Sequence, residues 1–274
     1  MRVVVATRYA PVFEGFRAVI AGAGHEPAAA LTPADNPFLG ELRDAVAAAE
    51  LELLRPARRA DVAPQLERVA PDLVVCMGFP WRVPAAALAV PPLGWLNGHP
   101  SLLPRHRGPI PWAWVIRHGD TESGITFHRM DEDFDTGPIF AQRSYPVGDY
   151  GEPEELYARA SAANAEALAE ALERVAAGEP GTPQGEGGSY ESFFTDEDMR
   201  LDLTRPAADV FRMVWAWQHA HPRGTERGPL LELGGDVVRV LESSLEPVEG
   251  AGRVQCADAP LWLVRTEPAG PPSA

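Results

Sequence analysis

Three polar side chains stand at spacings that suit acyl transfer. Asn97 and His99 lie two residues apart at the end of a short apolar run, and Asp135 follows in a Phe-Asp-Thr-Gly segment. If the run is a strand, Asn97 and His99 leave the same face of it. Amide and imidazole N–H groups can stabilise an oxyanion, and a carboxylate can orient a histidine. We therefore take Asn97, His99 and Asp135 as candidate catalytic residues.

The elements around these residues predict an α/β fold. Pro100 and Pro104 end the extended segment, so the Asn97–His99 pair is expected at the C-terminal mouth of a strand, where open α/β sheets bind ligands. Apolar runs and helical patterns alternate along the first part of the chain, which favours a Rossmann-like, mostly parallel sheet. The predicted strands cover residues 3–6, 28–31, 51–54, 73–77, 95–97, 125–130 and 139–145, and the predicted helices cover 13–23, 38–49, 62–69, 111–118 and 153–177.

A glycine- and proline-rich stretch separates a smaller second part. Residues 178–188 lack apolar anchors and indicate a boundary or crossing loop. Beyond it, one helix is predicted over 206–218, and short strands over 230–233, 237–241, 253–256 and 261–264. Short strands with glycine turns are typical of a small barrel or sandwich. We expect a first domain over 1–184, a linker over 185–200, a second domain over 201–267 and a disordered tail over 268–274.

Composition limits the function classes. The 274-residue chain carries a net charge of −15 and contains no lysine, which excludes Schiff-base and P-loop chemistry. The negative charge opposes a nucleic-acid partner unless a local basic patch exists. No segment has the length of apolar sequence that a membrane span requires, so we expect no membrane partner and a cytoplasmic location. Cys76 and Cys256 lie in apolar surroundings and are expected to be reduced core residues.

The sequence lacks complete motifs for a dinucleotide, calcium or zinc site. Residues 22–27 lack the third glycine of a dinucleotide loop and follow a predicted helix rather than opening one. A calcium loop starting at Asp131 would need glycine and glutamate where Thr136 and Gln142 stand. His99 and His106 match no zinc-ligand spacing. We expect no metal site.

The motifs resemble those of one enzyme family. Residues 96–109, 124–126 and 130–137 are similar to the 10-formyltetrahydrofolate-dependent formyltransferases, especially the methionyl-tRNA formyltransferase branch. The shared features are the Asn-x-His motif, the Ser-Leu-Leu-Pro run and the Asp-Thr-Gly turn. Residues 200–207 resemble the start of that family's C-terminal domain. The resemblance implies a formyltransferase catalytic domain followed by a small OB-like β domain.

The resemblance also implies a reaction and a donor site. Members transfer the formyl group of 10-formyltetrahydrofolate to an amine. Asn97 and a protonated His99 would donate hydrogen bonds to the oxyanion, and Asp135 would keep His99 charged and oriented. The residues expected to bind the pterin lie in the loop after the fourth strand and in the acidic turn: Met77, Gly78, Phe79, Trp81, Val83, Asp133 and Phe134.

The acceptor is the open question. The tRNA enzymes carry a basic insertion, whereas the matching residues 32–44 hold one arginine and three acids. This argues against tRNA and favours a small amine, such as a nucleotide-linked amino sugar or an amino-acid or hydroxamate precursor. Arg105 and Arg107 are candidates for binding its phosphate or carboxylate. A methionyl-tRNA formyltransferase and a formyltetrahydrofolate deformylase remain alternatives, and a homodimer remains open.

Overall fold

The computed structural model describes residues 1–148, 153–195, 197–220 and 228–269. Within it the chain forms two compact units. The first comprises Met1–Arg107, Gly124–Tyr145 and Tyr157–Ser189, and the second comprises Gly108–Ser123, Pro146–Leu156 and Tyr190–Ala274. The domain limits expected from the sequence stay predictions. Of the expected tail, 270–274 lie outside the described residues, and Pro268 belongs to the last strand.

Eighteen helices and strands are described. In chain order they are β1 (Arg2–Ala6), α1 (Ala10–Gly22), β2 (Glu26–Leu31), α2 (Leu39–Ala48), β3 (Glu52–Leu54), α3 (Val62–Val69), β4 (Leu73–Cys76), α4 (Ala85–Leu88), β5 (Trp95–His99), α5 (Pro111–His118), β6 (Glu122–Arg129), β7 (Ile139–Pro146), α6 (Pro153–Ala176), α7 (Ala207–Ala220), β8 (Leu230–Leu233), β9 (Asp236–Ser244), β10 (Gly252–Gln255) and β11 (Pro260–Pro268).

A seven-stranded sheet is the centre of the first unit. Its order is β3-β2-β1-β4-β5-β6-β7. Strands β1 to β5 pair in parallel, and β6 runs antiparallel to β5. The predicted mostly parallel sheet is thus confirmed. The strand order reverses between β1 and β4, and such a reversal opens a crevice at the carboxyl ends of the strands.

Successive side chains of β1 point to opposite faces of the sheet, and all of those from Val3 to Ala6 are buried. Val4 and Ala6 of β1 belong to one buried cluster with Val62 and Leu66 of α3, and the intervening Val5 is equally buried. A strand whose side chains are buried on both faces of the sheet is expected in a parallel sheet that is covered by helices on both sides. This packing fixes the carboxyl edge from which the candidate site projects.

The second unit contains a four-stranded antiparallel sheet in the order β10-β11-β9-β8. Helix α7 packs on it through Val210, Met213 and Val214, which share a buried cluster with Val240 and Leu261. The small antiparallel β structure predicted for the C-terminal part is confirmed. Both cysteines are buried without a disulfide. Among the described residues, no helix has the length and apolarity to cross a membrane.

Candidate active site

Strands β5 and β6 present the first polar groups of the site. In their antiparallel register, Asn97 lies opposite His128 and His99 lies opposite Thr126. Residues directly opposite one another project from the same face of a sheet. The Asn97–His99 pair therefore shares its face with a histidine and a threonine from β6, at the carboxyl end of β5.

A tight turn delivers the carboxylate. The Thr136 hydroxyl donates to both carboxylate oxygens of Asp131 at 3.0 Å, and the Asp133 N–H donates to Asp131 Oδ1 at 3.2 Å. Asp135 has a φ of +57°, a left-handed conformation that aspartate tolerates better than most residues. A Cβ at Gly137 would lie 2.0 Å from the Arg129 carbonyl oxygen, so only glycine fits there. The turn thus folds back on β6.

Three side chains converge on one oxygen of Asp135. Asn97 Nδ2 lies 3.4 Å from Asp135 Oδ1, and His99 Nδ1 and His128 Nε2 each lie 3.5 Å from it. The side chain of Asp135 is 13% exposed and that of His99 is 4% exposed. The structure therefore brings together the three residues that the sequence selected, in a nearly dry environment where charges interact strongly.

The partner of His99 Nε2 determines where its proton lies. Nε2 is 2.8 Å from the carbonyl oxygen of His106. A carbonyl oxygen only accepts, so Nε2 carries the proton and donates. Nδ1 then faces Asp135 with its lone pair, and it is the nitrogen that gains or loses a proton.

Burial has a larger effect on the pKa of His99 than the Asp135 carboxylate has. Removal from water lowers the pKa of His99 below its ordinary 6.5, and the nearby His128 and His106 rings lower it further. The Asp135 carboxylate and the His106 carbonyl raise this pKa, but by less. In the free protein, burial therefore favours the neutral form of His99. Asp135 acts in the expected direction, because it raises this pKa, although desolvation outweighs it; its role in keeping His99 charged during the reaction stays a prediction.

The lowered pKa predicts a loss of stability in mild acid. Between the folded pKa of His99 and its ordinary 6.5, the unfolded chain binds more protons than the folded one. The free energy of unfolding therefore falls as pH drops below 6.5 and levels off beneath the folded pKa. Urea unfolding of the wild type and His99→Gln from about pH 8 to about pH 5 measures this, since other groups titrate in both. Parallel profiles would contradict a neutral, buried His99.

His128 is a functional candidate that the sequence did not reveal. Its Nδ1 donates to the Arg129 carbonyl oxygen at 2.9 Å, which leaves Nε2 to accept from Asn97 Nδ2 at 3.2 Å. His128 thereby holds the amide of Asn97 with its nitrogen directed into the site. A lone histidine in a β pattern gives no signal of this, because the contact depends on the register of β6 against β5.

The loop after β5 is held by hydrogen bonds to its own backbone and to β6. Ser101 Oγ donates to the Arg105 carbonyl oxygen at 2.8 Å, and Thr126 Oγ1 donates to the Ser101 carbonyl oxygen at 2.7 Å. The Arg105 side chain is exposed, whereas Arg107 is half-buried. Arg107 donates through Nε and Nη2 to Gln184 Oε1, at 3.2 and 2.7 Å. The guanidinium of Arg107 is thus engaged within the protein.

Two of the aromatic residues predicted to bind a pterin, Phe79 and Trp81, pack on the core. Phe79 and Trp81 are half-buried against the cluster beneath the sheet edge, and Val83 is buried in it. The two rings meet edge to face with centroids 6.0 Å apart, and Phe79 lies 6.4 Å from Trp95. This loop is therefore anchored by its aromatic side chains.

Two other predicted residues of this loop, Met77 and Gly78, directly follow β4, and the Met77 N–H donates to the Ala6 carbonyl oxygen at the end of β1 at 3.1 Å. Gly78 is exposed, with a φ of +67°, and a Cβ there would lie 2.7 Å from Tyr9 Cε2. Met77 is half-buried, and its sulfur lies 3.7 Å from Asn164 Nδ2 on α6. Asn164 Oδ1 is buried and has no hydrogen-bond partner among the described residues. An unpaired acceptor in this position suits a ligand that carries N–H groups.

The remaining predicted contacts lie on the exposed side of the acidic turn. Asp133 and Phe134 are both exposed, Phe134 to 54%. The Arg82 guanidinium stands 5.6 Å from the centroid of the Phe134 ring and donates to the Glu132 carbonyl oxygen. An exposed aromatic face beside a cation offers a surface on which a planar ligand can stack.

Comparisons with known proteins place the chain in a family. The sequence pattern of the formyl transferase family matches residues 40–172. The methionyl-tRNA formyltransferase of Sinorhizobium medicae is 32% identical over 277 aligned residues, which cover 92% of this chain and 86% of the relative. A sugar N-formyltransferase from a Shewanella species superimposes with a TM-score of 0.69 at 21% identity, covering 91% of this chain and 99% of that one.

A second similar structure is larger. HypX from Aquifex aeolicus, solved in complex with tetrahydrofolic acid, superimposes with a TM-score of 0.67 at 20% identity. The alignment covers 98% of this chain but only 44% of HypX. This chain thus spans less than half the length of that protein, and the likeness concerns the fold.

Proposed function

Because the chain belongs to the formyl transferase family, and is therefore an enzyme that moves a formyl group from a folate-type donor, we propose that Asn97, His99 and Asp135 transfer it to a primary amine. The observation that carries this proposal is the convergence of Asn97, His99 and His128 on one oxygen of Asp135 at the end of β5. An amide donor, a neutral imidazole and a carboxylate suffice for amine formylation without a covalent enzyme intermediate.

Asn97 stabilises the charge that develops. When the amine nitrogen bonds to the formyl carbon, negative charge collects on the formyl oxygen. The Asn97 amide nitrogen, held by His128 at 3.2 Å, donates to that oxygen the proton that it directs at Asp135 Oδ1, 3.4 Å away, in the free protein. A donor of this kind contributes about 3 kcal/mol to transition-state stabilisation.

His99 moves the proton. Because its Nε2 proton is held by the His106 carbonyl, Nδ1 accepts the proton that the attacking amine must lose. Asp135, 3.5 Å away, stabilises the imidazolium so formed. The same proton then passes to the nitrogen that leaves the formyl carbon, so tetrahydrofolate departs neutral at that nitrogen and His99 returns to its resting state.

The crevice between β1 and β4 is the proposed donor site. Met77 and Gly78 follow β4 at its carboxyl end, and the unpaired Asn164 Oδ1 beside Met77 can accept an N–H of the pterin. The donor supplies the formyl group, while Phe134 and Arg82 offer a face for its aromatic part. Phe79, Trp81 and Val83 support this loop from the core side.

Two acceptors are candidates. The methionyl-tRNA formyltransferase at 32% identity, of which this chain covers 86%, favours methionyl-tRNA. The charge of the chain favours a small amine instead, because the net charge is −15 and Arg43, the one arginine in residues 32–44, pairs with Asp44 at 3.1 Å. A polyanion needs unpaired cations to bind, whereas a small amine does not.

Purified protein given 10-formyltetrahydrofolate and one acceptor at a time decides between them. Tetrahydrofolate formation is followed with charged initiator tRNA, with nucleotide-linked amino sugars, with ornithine-type amines and with no acceptor. We expect formation that depends on an amine. Turnover with tRNA, weakening steeply as salt rises, selects the first acceptor, and turnover only with a small amine selects the second. Acceptor-independent release of formate would overturn transfer in favour of hydrolysis.

A further inference from the structure

The segment of residues 182–189 overlaps the predicted crossing loop. It forms hydrogen bonds with β7 and with the loop after β5. Thr182 exchanges two backbone hydrogen bonds of 2.7 Å with Ile139 at the start of β7. Further along, Ser189 Oγ accepts from the His106 N–H at 2.8 Å, and the Ser189 carbonyl accepts from the Arg107 N–H at 3.1 Å. The segment is therefore bonded both to β7 and to the loop whose His106 carbonyl holds His99.

Gln184 lies between these two attachments and reaches the catalytic turn. Its Nε2 donates to the Asp135 carbonyl oxygen at 2.8 Å and to the Gly137 carbonyl oxygen at 2.9 Å. Its Oε1 accepts two hydrogen bonds from Arg107. Both protons of the amide and its oxygen are thus used, which leaves the side chain a single orientation.

The turn needs such a support. Asp135 adopts a left-handed φ of +57°, and residues 131–134 beside it are exposed. The exposed residues 131–134 provide little packing, so hydrogen bonds to the backbone of the turn help to determine where the carboxylate of Asp135 lies. Gln184 Nε2 donates hydrogen bonds to the backbone carbonyls of Asp135 and of Gly137, two residues later. The positive charge of Arg107 at Oε1 makes this amide a stronger donor.

We infer that Gln184 is a positioning residue for formyl transfer: held by Arg107, its amide fixes the turn that sets Asp135 against His99. Arg107 acts through Gln184 rather than on the acceptor, which differs from the role that its sequence position suggested. The inference rests on the proposed function for its kinetic consequence only. Its geometric consequence, the distance between Asp135 and His99, exists whether or not the acceptor is known.

The test compares Gln184→Met, Arg107→Met and the double variant in the full chain. Methionine keeps the length of glutamine and removes its hydrogen bonds without adding charge. We expect Gln184→Met to lower kcat by about 10- to 100-fold, as a displaced catalytic group does, with KM for the formyl donor changed less than about twofold. The double variant should be no slower than Gln184→Met alone, because both changes break the same chain of hydrogen bonds from Arg107 through Gln184 to the turn. Additive losses would overturn the role of Arg107.

A second readout needs no turnover. Asp135 raises the pKa of His99, so a displaced carboxylate lets that pKa fall, which NMR titration of the His99 ring reports. Gln255→Met is the matched control, since Gln255 also donates to a backbone carbonyl, at 2.9 Å to Cys256, but in the other unit. An unchanged His99 titration in a folded Gln184→Met protein overturns the inference. If Gln184→Met lowers the pKa of His99 but the wild type transfers no formyl group, the positioning role of Gln184 is supported and only the proposed function is refuted.

Discussion

Replacing Asp135 with asparagine is expected to lower kcat by about three orders of magnitude, within the range measured for loss of acid–base assistance. Asparagine has the shape of aspartate and tolerates the left-handed φ of +57° at this position. The turn therefore keeps its backbone, and only the charge is lost. Without that charge, the imidazolium formed 3.5 Å away is buried and unpaired, so proton removal from the amine becomes unfavourable.

Glu132→Gln is the matched control for this variant. Glu132 is exposed in the same turn, so its substitution removes one negative charge without touching the site. Single-turnover formylation, donor binding and thermal unfolding are measured for both proteins. We expect Asp135→Asn to bind the donor and unfold like the wild type, and Glu132→Gln to match the wild type throughout. A kcat of Asp135→Asn near the wild-type value would remove Asp135 from the mechanism.

Much of the fold follows from local sequence patterns. Helices α3 and α5 begin and end at the predicted residues, and β8 matches its predicted range. Their apolar spacing and the prolines and glycines at their ends are short-range signals that tertiary contacts did not override. The shared face of Asn97 and His99 follows from the period of a strand in the same way.

The pairing of distant segments could not be predicted in this way. His128 meets Asn97 because of the register between β5 and β6, and Gln184 meets Asp135 because a loop passes behind a turn 49 residues earlier. Neither contact leaves a periodic trace in the sequence. The lowered pKa of His99 could not be predicted either, because the depth of its burial leaves no signal in the sequence.

Replacing Asn97 with leucine is expected to lower kcat by about 100- to 1000-fold, the cost of removing one preorganised oxyanion donor. Leucine fills a similar volume but cannot donate. It also leaves His128 Nε2 without the amide that it now faces at 3.2 Å, which costs about 1 to 3 kcal/mol of stability for an unsatisfied buried group. Formylation rates at saturating donor and acceptor, together with urea unfolding, separate the two effects.

His128→Leu distinguishes a direct from an indirect role of Asn97. This variant breaks the same hydrogen bond from the other side and leaves the Asn97 donor in place. If Asn97 contacts the formyl oxygen, His128→Leu loses only the orientation of the amide, and its kcat falls by about tenfold, well short of the loss in Asn97→Leu. If Asn97 merely supports His128, the two variants lose equal activity. Equal losses would transfer the catalytic role to His128 and leave the oxyanion without its proposed donor.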